Sequence, residues 1–225
     1  MSDLFAPVVP AVASEATVAD RRIPRGLFRF AGAALISFPV LFAGGMAFSP
    51  AQTEPGEGGY IASLAADPVT SIISANLLHY AWVALALGVM GLIGLVGRRG
   101  RVWVSLAAVG VAFGSVQMSG LLLSDWFLIA AGNTLPMDLA LAMNEAAKEG
   151  TVGIWLLTAQ VLTMLGIPLL TLGLARARVV SWWIAALPLA AFAVPMFNLG
   201  LIAAFAFVPL MAPVIVAGVK LLRIR

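Results

Sequence analysis

Residues 71–96 read SIISANLLHYAWVALALGVMGLIGLV, residues 97–101 read GRRGR, and residues 102–128 read VWVSLAAVGVAFGSVQMSGLLLSDWFL. The first run carries no Asp, Glu, Lys or Arg, and the second carries only Asp125. Each is longer than the ~20 apolar residues that cross ~30 Å of hydrocarbon at ~1.5 Å per residue. Two such runs joined by five residues read as an antiparallel pair of spanning helices. The three arginines at the joint place it on the cytoplasmic side, where Lys and Arg near span ends are retained.

Outward from this pair the same alternation continues. Twelve of the thirteen Lys and Arg residues fall in four clusters: Arg21-Arg22-Arg25-Arg29, Arg98-Arg99-Arg101, Arg176-Arg178 and Lys220-Arg223-Arg225. The apolar stretches between them predict six spans, at residues 27–48, 71–96, 102–128, 152–174, 181–197 and 201–219. The expected fold class is therefore all-α, a polytopic transmembrane helix bundle with six spans and both termini cytoplasmic. Only Lys148 then lies on the outer side. Seven of the ten acids, Glu54, Glu57, Asp67, Asp125, Asp138, Glu145 and Glu149, fall there too. Trp103, Trp182 and Trp183 sit at inner span ends and Trp82, Trp126 and Trp155 in outer halves, as interfacial belts require. Residues 1–25, with Pro7, Pro10 and Pro24, read as a mobile cytoplasmic tail, and 26–225 as the membrane domain. The chain suits the cytoplasmic (inner) membrane of a bacterium.

Composition excludes several classes. The chain is 62% hydrophobic and 10% charged. A soluble domain carries roughly 25% charged residues. The net charge of +3 is explained by basic span ends, so nucleic acid is not an expected partner. With no cysteine, disulfides, thiolate metal sites and thiol catalysis are excluded. With His79 as the only histidine, no metal or other cofactor is expected.

Between spans three and four, residues 135–149 read as a short outer interfacial helix. Asp138 falls in its first turn and Lys148 in its last, which suits the helix dipole. Leu139, Met143 and Ala146 share one face, expected on the bundle or in the headgroup layer. The segment reads either as a lid over an outer cavity or as an ordered connector.

Arg29-Phe30-Ala31-Gly32 opens span one, a longer outer loop leads to span two, and Arg98-Arg99-Gly100-Arg101 forms a charged inner turn. Arg178-Val179-Val180-Ser181-Trp182-Trp183 links to span five, and Pro209 and Pro213 sit in the last span. This pattern resembles a family of small six-span bacterial membrane proteins known only as a domain of unknown function. The resemblance covers residues 21–223 and implies a fold without an activity.

Ionisable and amide groups inside spans are costly and often functional. His79, Gln117 and Gln160 fall at a similar outer depth on different spans, with Asp125 near the outer interface. Asn76, His79 and Tyr80 share a helix face. Together they outline a polar pocket opening outward. Candidate catalytic residues are Asp125, Glu145 and His79. Candidate substrate-binding residues are Asn76, Tyr80, Trp82, Gln117, Trp126, Trp155 and Gln160. Each also has a purely architectural reading: His79, Gln117 and Gln160 as interhelical hydrogen-bonding groups, and Asp125-Trp126 as an interfacial anchor. Gly88, Gly91, Gly94, Gly110 and Gly114 read as helix-packing positions.

The expected function is an enzyme acting by acid catalysis on a lipophilic, isoprenoid-like substrate. Protonation-driven cyclisation needs only an acid, an apolar chamber and aromatic walls such as Trp82, Trp126, Trp155 and Phe127. Membrane terpene cyclases share the size, but none of their motifs is present. The alternative is a non-catalytic binding, partner or immunity-type subunit. A small transporter ranks third, because no inverted repeat is apparent. Expected partners are membrane lipids, a lipophilic small molecule or another membrane protein.

Overall fold

The computed structural model of the chain describes residues 24–193 and 201–224. Every regular element among the described residues is helical, as an apolar chain in hydrocarbon must be to satisfy its own backbone polar groups. In chain order they are α1 (Arg25–Phe48), α2 (Gly56–Ala66), α3 (Pro68–Leu95), α4 (Arg101–Thr134), α5 (Met137–Lys148) and α6 (Thr151–Met164). There follow α7 (Gly166–Arg176), α8 (Trp182–Ala185), α9 (Leu187–Ala193), α10 (Leu201–Leu210) and α11 (Ala212–Leu222). Four stretches are long and apolar enough to cross a membrane: α1, α3, α4 and the α6–α7 run from Thr151 to Arg176. The α10–α11 pair, bent by 48°, is a fifth if counted as one span. Residues 181–197 hold only the short helices α8 and α9 among the described residues. The N-terminal tail, Arg21-Arg22, Pro195, the Asn198-Leu199-Gly200 turn and Arg225 lie outside the described residues.

Three boundaries differ from expectation, each for a local reason. The expected loop 49–70 contains a whole helix, α2, and the start of α3. Asp67 caps α3 by accepting from the Thr70 N–H at 3.2 Å and its hydroxyl at 2.5 Å, with Pro68 in the first turn. Those two bonds hold the exposed Asp67 carboxyl below its ordinary range. Span three continues past residue 128 to Thr134, because its terminal polar residues bond back onto their own helix. Asn133 Nδ2 donates to the Ile129 carbonyl at 2.8 Å and Thr134 Oγ1 to Ala130 at 2.7 Å. The helix stops at Leu135, which precedes Pro136 and is pushed to extended backbone. The last span bends at Met211, between Pro209 and Pro213, neither of which has an N–H to donate.

At 34 residues, α4 is about 51 Å long, well beyond the ~30 Å hydrocarbon thickness. Its far end therefore stands clear of the main bundle. There Leu128, Ile129 and Ala131 build a second small core with Ile61 and Leu64 of α2 and Ala140 of α5. The packed positions of α5 are Ala140 and Asn144. Leu139, Met143 and Ala146 are exposed, so that face does not lie on the bundle.

The main core is closed by small residues. α1 and α3 run antiparallel, and Gly88, Gly91 and Gly94 of α3 face Leu35, Ala31 and Phe28 of α1. α1 also packs closely on α11, where a Cβ on Gly32 would stand 2.6 Å from the Gly218 backbone carbonyl oxygen. Midway, Phe38, Phe42, Trp82 and Phe207 form an aromatic cluster with ring centroids 4.2 to 5.9 Å apart.

This packing gathers nine of the ten described basic residues at one end, Lys148 being the exception. Phe28 against Gly94 and Leu222 against Gly32 bring the ends of α1, α3 and α11 together. Gly100, at φ 82°, turns the chain against Ala177 and the Gly173 carbonyl. Lys220 Nζ donates to the Val179 carbonyl at 2.5 Å. All seven described acids lie at or near the opposite end.

Gly32→Ala is expected to lower stability by about 1–3 kcal/mol, because a backbone carbonyl cannot step aside. Gly94→Ala is expected to cost less than about 1 kcal/mol, since a Phe28 ring can rotate away. Thermal unfolding of the two variants in detergent checks the order, and equal losses would contradict it.

Candidate functional site

The polar groups expected to line one pocket are distributed over several faces of α4. On the side facing α3, His79 Nδ1 lies 2.9 Å from the Ser119 hydroxyl and 3.2 Å from the Ser119 carbonyl. With the proton on Nδ1 the ring donates to these oxygens; otherwise the Ser119 hydroxyl donates to it. On the side facing α6, Gln117 Nε2 donates to Thr158 Oγ1 at 3.0 Å, and the Thr158 hydroxyl donates to the Trp155 carbonyl at 2.9 Å. Gln117 Oε1 and Ser115 Oγ are buried without a hydrogen-bond partner among the described residues. Towards α2, the Asp125 carboxylate accepts from the Tyr60 hydroxyl at 2.9 Å. Asp125 is 8% exposed. Burial, then the Asp125 charge and the hydrogen bond to it, push the Tyr60 phenol up, so Tyr60 remains the donor.

The remaining candidates do not converge with these. Glu145 and Gln160 are exposed, and Asn76 is half-buried. None of the three makes a side-chain hydrogen bond among the described residues. Tyr80 is largely exposed, its ring edge-on to His79 at 5.2 Å. Trp82 is 3% exposed and belongs to the aromatic core, 5.7 Å from Phe38 and 5.5 Å from Phe42. Trp155 is half-buried and covers Gly120, while Trp126 and Phe127 are exposed. Asp125 is six residues beyond Ser119, about 9 Å along the axis.

Sequence reasoning missed the partners. Tyr60 and Glu57 fall in the segment read as loop, so neither had a helical register to place it. Glu57 accepts from Lys148 and, at 2.6 Å, from Asn144 Nδ2, joining α2 to α5. The opposite charges of Glu57 and Lys148 were the available signal. Among the described residues, no three His, Cys, Asp or Glu side chains approach closely enough to hold a metal.

An apolar groove of about 750 Å³ lies elsewhere, between the first half of α4 and the α6–α7 run. It occupies the basic half of the molecule. Ala107 and Gly110 line it from α4, and Val161, Leu165 and Leu169 from the facing helices. Trp103, Trp182 and Arg176 line it at the basic end. Gly166 and Gly173 let α7 close on α4: a Cβ on either would stand 2.8 and 3.1 Å from Val111 and Val104.

The fold and these features define the class, an all-helical protein with several apolar helices able to span a membrane. No protein-family model, curated protein or solved structure matches the chain.

If the His79–Ser119 bond joins α3 to α4, a double-mutant cycle of His79→Ala and Ser119→Ala is expected to show coupling near 0.6 kcal/mol, as typical of interhelical bonds in bilayers. Strictly additive losses of stability would remove it as a clamp.

Proposed function

We propose that the chain is a six-span protein of a bacterial cytoplasmic membrane, both termini inside, that binds a lipophilic molecule entering sideways from the bilayer. The observation that carries this is the apolar groove between α4 and α6–α7. Its rim residues Leu106, Val161, Leu165 and Leu169 are each at least 45% exposed on a surface that faces lipid in this reading. In this reading α8 and α9 belong to the fifth span, and α10–α11 form the bent sixth. The inside assignment follows from the gathering of Lys and Arg at one end.

This is a binding reading rather than a catalytic one, because His79, Gln117 and Asp125 are each bonded to a neighbouring helix. One observation favours acid chemistry as a second reading. Asp125 is buried beside Tyr60 with no cation paired to it among the described residues. Loss of turnover of an isoprenoid substrate in Asp125→Asn, with the fold retained, is the outcome that reading needs.

A chain without cysteine makes the topology easy to probe. Arg99→Cys is expected to react with an impermeant maleimide only after lysis, and Glu149→Cys in intact cells; the reverse pattern would invert the protein. For the groove, a diazirine-bearing hydrocarbon probe in reconstituted vesicles is expected to label Leu106, Val161 and Leu165 above the equally exposed Phe113 and Val116. Gly110→Leu should fill the groove and remove the excess. Uniform labelling of all exposed apolar residues would overturn the reading.

A further inference from the structure

Lining residues differ along the groove in a way that specifies its occupant. From Val161 to Arg176 the α6–α7 run covers about 22 Å. One leaflet contributes about 15 Å of hydrocarbon. The groove is thus as long as one acyl chain plus the interfacial layer above it. Its lining is apolar except for Arg176, which is exposed and lines the groove together with Trp103 and Trp182. Tryptophan suits that boundary, with an apolar body and one N–H that can reach a polar group.

Arg176 has no acid to pair with at this end among the described residues. Glu54, Glu57, Asp67, Asp125, Asp138, Glu145 and Glu149 all lie at or near the other. Arg98, Arg99, Arg101, Arg178, Lys220 and Arg223 share its end and add to the positive field. A guanidinium presents a planar fork of N–H donors that matches two phosphate oxygens.

We infer that the groove is a site for an anionic phospholipid, with one acyl chain along Gly110 and Ala107 and the phosphate on Arg176. This rests on the lateral-binding reading above and adds the headgroup charge that the site selects. The basic end is the cytoplasmic one in that reading, so the lipid belongs to the inner leaflet.

Native mass spectrometry of the full chain, exchanged with phosphatidylglycerol or phosphatidylcholine of identical acyl chains, tests it. Wild type is expected to retain one phosphatidylglycerol more strongly than phosphatidylcholine. Arg176→Gln is expected to reduce that preference about fivefold, as loss of one basic residue at an anionic lipid does. Arg99→Gln, with the same charge loss away from the groove, should reduce the preference less than about twofold. Equal effects of Arg99→Gln and Arg176→Gln would overturn the site in favour of diffuse surface charge. If wild type retains both lipids equally and Gly110→Leu loses both, the headgroup inference falls while lateral binding stands. If Gly110→Leu loses neither, both fall.

Discussion

Inside a bilayer no hydrophobic force presses one apolar helix onto another, so helices associate through close backbone packing and a few polar bonds. The rest of this fold depends on that constraint. Gly32 meeting the Gly218 carbonyl joins the first and last spans, and the Gly88, Gly91 and Gly94 stripe seats α3 on α1. Gly114 does the same for α4 and α6, where a Cβ would stand 2.7 Å from Leu162. Larger residues at these points would separate the helices and open the Phe38–Trp82–Phe207 cluster between them.

The polar residues then fix what glycine packing leaves free, the register of α4. It is held to α3 through Ser119 and His79, to α6 through Gln117 and Thr158, and to α2 through Asp125 and Tyr60. These attachments occur on several faces of one helix, so they resist rotation as well as sliding. Residues that looked like the walls of one chamber are, in the structure, separate fastenings. The open apolar surface lies in the other half of the molecule, where α4 carries Ala107 and Gly110 instead of polar groups.

Much of this was legible in the chain because hydropathy and charge act over whole helices. The long spans and the basic ends follow from runs of twenty or more residues, which local chemistry does not disturb. What escaped was local. The α2 helix is short and opens at Gly56, just after Pro55, so its composition reads as loop. Its start depends on Gly56 at φ 84°, and the start of α3 on the Asp67 cap. The extra turns of α4 depend on Asn133 and Thr134 bonding inward rather than to water. The candidate site was legible in residue type but not in direction. His79 and Gln117 each bond to a neighbouring helix, yet side-chain heading depends on helix rotation, which an apolar sequence with little amphipathic bias does not declare. Trp82 turned inward and Gln160 outward for that reason.

The sorting of charge to opposite ends makes the molecule an electrical object as well as a packed one. Nine described Lys and Arg residues stand at one end, and seven acids with a single lysine at or near the other. Moving one elementary charge across a membrane potential changes the energy by about 2.3 kcal/mol per 100 mV. In a membrane held negative on the basic side, turning the bundle over would drive both sets of charges against the field. In such a membrane the potential would favour this heading over the reverse one.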